Sequence, residues 1–346
     1  PALPRRVTSL GMETKPRRSK APAASSPRRR RLPGDPATRY AKAVVSGKTI
    51  AGPHVRAACA RHIKDLEEGA ARGLIWDQEA VVHALAFFTE VLCLNGGEYE
   101  GKPFELLAWQ RFVVGSIFGW KTVDGHRRFR VAYVETAKGS GKSPLAAGIG
   151  MYGMVADNEA RAEIYAAATK KDQAMVLFRD AVAMWQLSPE LRSRLKTSGT
   201  GENVWNLAYL EKGAFFRPIS ADDGQSGPRP HIALIDEVHE HRNNTVVEMM
   251  RAGTKSRRQA LIFMITNSGS SKTSTCWGYH DYGAKVADGV LEDDTFFSYI
   301  CSLDVGEDPI RNEKCWAKAN PSLQEADLPG IKYLREQVRE ARGMPA

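Results

Sequence analysis

The stretch from Phe129 to Gly150 constrains the fold more than any other part of the chain. A short β-rich run, FRVAYV (Phe129–Val134), ends at ETAKGSGKS, and a helical pattern, PLAAGIG, follows at once. Strand, glycine turn and helix in that order build a loop whose backbone N–H groups, with the first turn of the helix, converge on phosphate oxygens. Gly139, Ser140 and Gly141 supply the turn. Lys142 is then placed to reach the β- and γ-phosphates of ATP, and the Ser143 hydroxyl to bind Mg²⁺. Pro144 is compatible, because N–H groups in a first helical turn lack intrahelical partners. The common spacing G-x-x-x-x-G-K-[ST] is incomplete, since Thr136 stands where its first glycine belongs. Gly-Lys-Ser alone arises by chance; the flanking strand and helix are what favour nucleotide binding over an ordinary loop.

Further along, HIALIDE (His231–Glu237) is an apolar strand closed by two carboxylates. Asp236 is expected to hold Mg²⁺, commonly through water, and Glu237 to activate the attacking water as general base. Two acidic residues after a strand more often open a helix; the phosphate loop upstream reverses that reading. Trp109 and Gln110, with Phe104, precede the loop, where an amide could read the adenine edge and an aromatic ring pack nearby. Alone they read as helix core. Thr266 and Asn267 end the strand ALIFMIT (Ala260–Thr266), where small polar side chains sense a γ-phosphate or merely make a turn.

The remaining pattern is consistent with an α/β protein. Residues 40–100 are helical in periodicity, as in HVRAACARHIKDLEEG and WDQEAVVHALAFFTEVLCL. FELLAWQRFVVGSIFGW reads as a further helix. From residue 129 strands alternate with helices: EIYAAA (Glu163–Ala168), a helix over Asp172–Gln186, AFFRPI (Ala214–Ile219), HIALI and ALIFMIT. Such alternation predicts a mainly parallel sheet flanked by helices. We expect a basic arm over 1–39, a helical region over 40–100, a nucleotide-binding core over 101–268 and a lid or linker over 269–346.

Residues 1–39 hold eleven Lys or Arg against Glu13 and Asp35, which accounts for the whole net charge of +9. Rich in Pro, Ser, Ala and Arg, they lack the apolar surface to offset the entropy of ordering. They read as disordered, serving either as an arm for DNA phosphates or as a solvated tail. The rest of the chain is neutral overall. Five scattered cysteines form no C-x-x-C pair and lie at no metal-ligand spacing with histidine, which points to buried thiols in a reducing compartment. No apolar run reaches the roughly 18 residues of a membrane span; the nearest, Val81–Leu94, is broken by His83, Thr89 and Glu90. No signal peptide is visible, and a soluble protein is expected.

Taken together, EGKPFELLAWQRFVVGSIFGW, the phosphate loop, AAATKKDQA (Ala166–Ala174), LIDEVHEH, RAGTKSRRQALIFMITNSG and CWAKANPSL (Cys315–Leu323) resemble, in order and spacing, the large terminase subunit of tailed bacteriophages. The resemblance implies a P-loop NTPase fold of the RecA-like class with an N-terminal helical extension. It implies an ATPase that drives double-stranded viral DNA through a portal protein into a procapsid, in the host cytoplasm and without a membrane. It implies a homo-oligomeric ring and a small terminase subunit as partners. By position Lys142, Ser143, Asp236 and Glu237 match the family's ATPase residues, Gln110 its adenine-reading glutamine, and Thr266 and Asn267 its coupling motif. Lys138 stands where many members carry arginine. Arg257 and Arg258, with Arg229 and Arg251, are candidates for a trans-acting arginine finger.

The family's nuclease is a C-terminal domain with clustered acidic residues. About two dozen residues follow CWAKANPSL, among them the charged helix IKYLREQVREAR, too few for that domain, so the chain reads as the ATPase part of such a subunit without the nuclease. Asp304 and Asp308 read as structural. Two other readings stay open: a helicase-like ATPase, which needs a second RecA-like domain, and a nucleotide-gated DNA-binding or assembly module without turnover. Glu237 argues against the latter.

Overall fold

Asp35 marks where the described chain begins. The computed structural model describes residues 35–220, 227–241 and 243–344. The basic arm expected over 1–39 lies outside these up to residue 34, but its last residues are helical. Asp35 caps α1 (Pro36–Val45) by accepting the Thr38 amide at 2.9 Å, and Pro36 opens the helix. Composition hid this start, because only Ala37, Tyr40, Ala41 and Val44, at helical spacing, carry the apolar face. Helices α2 (Pro53–Glu68), α3 (Gln78–Val91) and α4 (Ala108–Gly119) follow. Between them a small antiparallel pair forms from β1 (Leu74–Trp76) and β2 (Trp120–Thr122).

The expected strands and helices appear in the order read from the sequence: β3 (Val131–Glu135), α5 (Lys142–Val155), β4 (Glu163–Ala168) and α6 (Lys171–Leu187). Next come α7 (Pro189–Arg194), β5 (Lys196–Ser198), β6 (Asn206–Tyr209), β7 (Ala214–Ser220) and β8 (Ile232–Ile235). The chain continues through α8 (Thr245–Gly253), β9 (Leu261–Thr266), α9 (Thr275–Ala287) and β10 (Phe296–Ile300). Two single-turn helices, α10 (Trp316–Ala319) and α11 (Leu323–Ala326), precede α12 (Ile331–Gly343).

Eight strands form one sheet in the order β10-β3-β9-β8-β4-β7-β6-β5. The first six are parallel; β6 and β5 add an antiparallel edge that periodicity did not reveal. Strand β9 separates the phosphate-loop strand β3 from the carboxylate strand β8. Glu135 pairs with Thr266 and Ile235 with Met264, so the C-terminal ends of all three strands stand nearly level.

Both sheet faces are covered, and alternate residues face opposite ways. Ala132, Val134, Ile232, Leu234, Phe263 and Ile265 join the larger core, built with α1 to α6. Val131, Tyr133, Ala233, Ile235, Ile262 and Met264 join the smaller one beneath α8 and α9. Helix α5 is pressed against its neighbours: a Cβ at Gly148 would lie 2.4 Å from Phe88, and one at Gly153 2.4 Å from Ile232. The N-terminal helices are therefore a packed layer of the same unit as the sheet. Buried Asp65 on α2 ties them to it, accepting from Arg128 Nη1 at 2.7 Å, while Arg128 Nη2 donates to Asp294 Oδ1 at 2.6 Å. Among the described residues, no helix is long and apolar enough to cross a membrane.

Candidate functional site

The loop from Thr136 to Gly141 joins β3 to α5 at the C-terminal edge of the sheet. Gly139 (φ +83°) and Gly141 (φ +82°) hold left-handed backbone, which glycine adopts without a Cβ clash. Thr136 is outside that region, so a side chain at the first-glycine position costs nothing. Lys142 opens α5 and is buried; its Nζ donates to Thr136 O at 3.1 Å, Ala137 O at 3.0 Å and Asn267 Oδ1 at 2.7 Å. Burial lowers the Lys142 pKa, while the Glu237 and Asp236 carboxylates pull it back up. The loop lysine, Asn267 and both carboxylates thus meet at one place.

Asp236 Oδ1 accepts the Glu237 amide at 2.8 Å. Burial, and then the Glu237 charge, push the Asp236 pKa up to about 6. A divalent cation beside it would restore the ionised form. Mg²⁺ takes one or two carboxylates and completes its shell with phosphates and water, and Asp236 with the Ser143 hydroxyl fits that donor set. Among the described residues, no group of three or more His, Cys, Asp or Glu is arranged to hold a metal ion.

Glu237 has left-handed backbone (φ +47°), a conformation a non-glycine residue adopts at a cost of about 1–3 kcal/mol. Its buried Oε2 has no hydrogen-bond donor, although His239 Nδ1 stands 3.1 Å away in ion-pair range. An unsatisfied buried carboxylate oxygen is suited to take a proton from water. Thr266 does not touch the loop lysine; its Oγ1 accepts the His239 amide at 3.0 Å and donates to Asn267 O at 2.8 Å. His239 therefore stands between the general-base candidate and Thr266. Sequence reasoning passed over it, although it follows Glu237 by only two positions.

Glu135 was also missed. At the end of β3 it is buried, and it accepts from Tyr133 Oη at 2.7 Å, Ser268 Oγ at 2.7 Å and His280 Nδ1 at 3.0 Å. The His280 bond raises the His280 pKa. Burial works to raise that of Glu135, but the His280, Ser268 and Tyr133 bonds outweigh it and leave the value lowered. The loop after β9 is thus tied to Lys142 through Asn267 and to Glu135 through Ser268.

Several expected residues are placed differently. Trp109 is buried and stacks on Tyr299, with ring centroids 5.5 Å apart, so it offers no face to a base. Phe104 packs edge-on against Phe88 in the core. Gln110 does reach the loop, but its Nε2 donates to Gly141 O at 3.4 Å and its Oε1 accepts the Leu107 amide at 2.9 Å. Its amide serves loop and helix start in this arrangement, and reading adenine would require exchanging those bonds. Lys138 is exposed at the loop's tip.

Arg257 is not a free finger. Its guanidinium donates to Glu159 Oε1 at 2.9 Å, Arg161 O at 2.8 Å and Arg229 O at 2.9 Å. It precedes β9, whose six residues put it roughly 20 Å from the site end of the sheet. Arg229 and Arg258 are exposed at that same far end. Arg251, on α8, donates to Tyr279 Oη at 3.2 Å. Asp304 is structural as expected, pairing with Arg56 and Lys318, which hold its pKa far below the usual range. Asp308 caps a turn, accepting the Ile310 amide at 2.8 Å.

A glycine loop after the first of three level strands, with the paired carboxylates two strands away, defines a P-loop NTPase. The family model of the terminase large subunit, ATPase domain, matches residues 108–285, just over half of the chain, and the chain belongs to that family. Protein YmfN of Escherichia coli (strain K12) is 31% identical over 150 residues, covering 43% of this chain and 31% of that protein. The terminase large subunit of Enterobacteria phage HK97 is 21% identical over 268 residues, covering 76% of this chain and 50% of its own length. The crystal structure of the HK97 bacteriophage large terminase has the same fold, with a TM-score of 0.65 at 19% identity over 77% of this chain and 52% of that one. The chain thus spans half or less of the curated relatives it matches.

Proposed function

We propose that this chain is the ATP-hydrolysing motor of viral DNA packaging, moving double-stranded DNA through a portal protein into a procapsid. The observation that carries the reading is the meeting of Lys142, Asn267, Asp236 and Glu237 at one end of the sheet, in a chain of the terminase family. In this reading the loop amides and Lys142 bind the ATP phosphates. Ser143 and Asp236 hold Mg²⁺, which neutralises phosphate charge. Glu237 takes the proton of the attacking water.

Asn267 is bonded to Lys142, and Thr266 to His239, so a rearrangement at the phosphates is felt on two sides of the coupling strand end. The working state is a homo-oligomeric ring in the host cytoplasm, docked on the portal and supplied with DNA by a small terminase subunit. A neighbour would contribute the positive charge at the transition state. Arg229, Arg251 and Arg258 are the exposed candidates for that part.

The test is phosphate release from ATP by the wild-type chain beside Lys142→Ala, with and without double-stranded DNA. Turnover lost in Lys142→Ala supports the reading. A wild-type chain that neither binds nor hydrolyses ATP refutes it.

A further inference from the structure

The stretch Cys315–Leu323, CWAKANPSL, has no part in the chemistry described above. It is firmly built. Trp316 is buried and its indole donates to Pro309 O at 2.7 Å, while Asn320 Nδ2 donates to Trp316 O at 2.9 Å and closes α10. The chain that emerges, Ala319 to Pro329, runs as a strap along the outer side of the phosphate loop. Ala319 O accepts the Ala137 amide at 3.1 Å. Ser322 Oγ donates to Ser140 O at 3.0 Å, and a Cβ at Gly139 would lie 3.0 Å from Pro329 Cβ. The strap is fixed in turn to the start of α4. Trp109 Nε1 donates to Ser322 Oγ at 2.9 Å, and Glu325 Oε2 accepts the Ala108 amide at 2.7 Å. Ser322 is fully buried, with its hydroxyl used both as donor and as acceptor.

These contacts set the directions of two peptide planes. A trans peptide holds its C=O and N–H antiparallel. With the Ala137 N–H turned out to the strap, the Thr136 carbonyl faces inward, where Lys142 Nζ meets it at 3.1 Å. With the Ser140 carbonyl pinned outward by Ser322, the Gly141 N–H is turned to the inner side of the loop, where phosphate oxygens bind. Gly141 has no Cβ to resist rotation of that peptide, and beside the bond from Ser140 Oγ to Ala137 O within the loop, the contact from Ser322 restrains the carbonyl itself.

We propose that Ser322 is a positioning residue for the phosphate loop, holding the Ser140–Gly141 peptide with its N–H presented to the nucleotide phosphates. The proposal rests on the nucleotide-binding reading of the loop. It is tested in the whole chain by measuring ADP affinity calorimetrically, and Gly141 amide exchange without nucleotide, for wild type, Ser322→Ala, Ser322→Thr and Lys142→Ala.

Ser322→Ala is expected to weaken ADP binding about 3- to 10-fold, the value of one hydrogen bond, and to speed exchange at Gly141. Ser322→Thr, which keeps the hydroxyl, is expected to restore both. A general loss of packing would lower the melting temperature without this recovery in step with the hydroxyl. Should Ser322→Ala not fold, Ser322→Cys, of similar volume but a weak donor, gives the same comparison. Wild-type ADP affinity and Gly141 exchange in Ser322→Ala, with binding lost in Lys142→Ala, overturn the role of Ser322 and leave the nucleotide site standing. A wild-type chain that binds no ADP overturns both.

Discussion

At Asp236 the proposed function and the stability of the fold oppose each other, and replacing it by asparagine measures the conflict. Its carboxylate is buried beside Glu237, which raises its pKa from the ordinary 3.8 to about 6. A shift of about two units corresponds to about 3 kcal/mol of differential stabilisation of the protonated form. An acid whose folded-state pKa exceeds its unfolded value costs nothing below about pH 4; the cost grows through the interval and is complete above about pH 6. Asparagine keeps the oxygen that accepts the Glu237 amide and carries no charge. Asp236→Asn, free of nucleotide and divalent cation, is therefore expected to unfold in urea with about 3 kcal/mol more stability than wild type at pH 7.5. At pH 5 the gain should fall to about half of that. Phosphate release from Mg·ATP should be lost in the same variant if Asp236 holds the metal as proposed. A variant no more stable than wild type at pH 7.5, or one whose gain is the same at both pH values, would refute the argument that burial of this charge is being paid for by the fold.

Two further outcomes follow from the site and its far edge. Glu237→Gln keeps the shape of the side chain but cannot take a proton, so nucleotide binding should persist while turnover falls at least about 10²-fold; unchanged turnover removes Glu237 from the mechanism. Arg257→Ala takes away the ion pairs to Glu159 and Glu163 and the contacts to the carbonyls of Ala160, Arg161 and Arg229 at the N-terminal edge of the sheet. It should destabilise the fold by about 2–4 kcal/mol in urea titration, and mixing it with active subunits should not reproduce the loss of a transition-state arginine. Wild-type stability combined with a collapse of turnover would restore the finger reading.

Much of this protein is written locally. A run such as FRVAYV or HIALI extends and buries because its side chains are apolar and β-favouring. Gly139 and Gly141 turn the chain where positive φ is needed, and the Ala- and Gly-rich stretch after Lys142 coils close against the sheet. Those properties act within a few residues, so the sequence alone determined the parallel α/β framework, the phosphate loop and the paired carboxylates. Only the tertiary structure decided what meets what. Asn267 reaches Lys142 across 125 positions, and Ser322 reaches Ser140 across 182. The order that slips β9 between β3 and β8 makes the first contact. The fold-back of the C-terminal strap makes the second. The same long-range packing buried Trp109 beneath Ser322 and committed every arm of the Arg257 guanidinium to the edge of the sheet. Residue type and spacing leave an indole or a guanidinium free to serve a ligand; the partner that arrives from elsewhere in the chain settles its role.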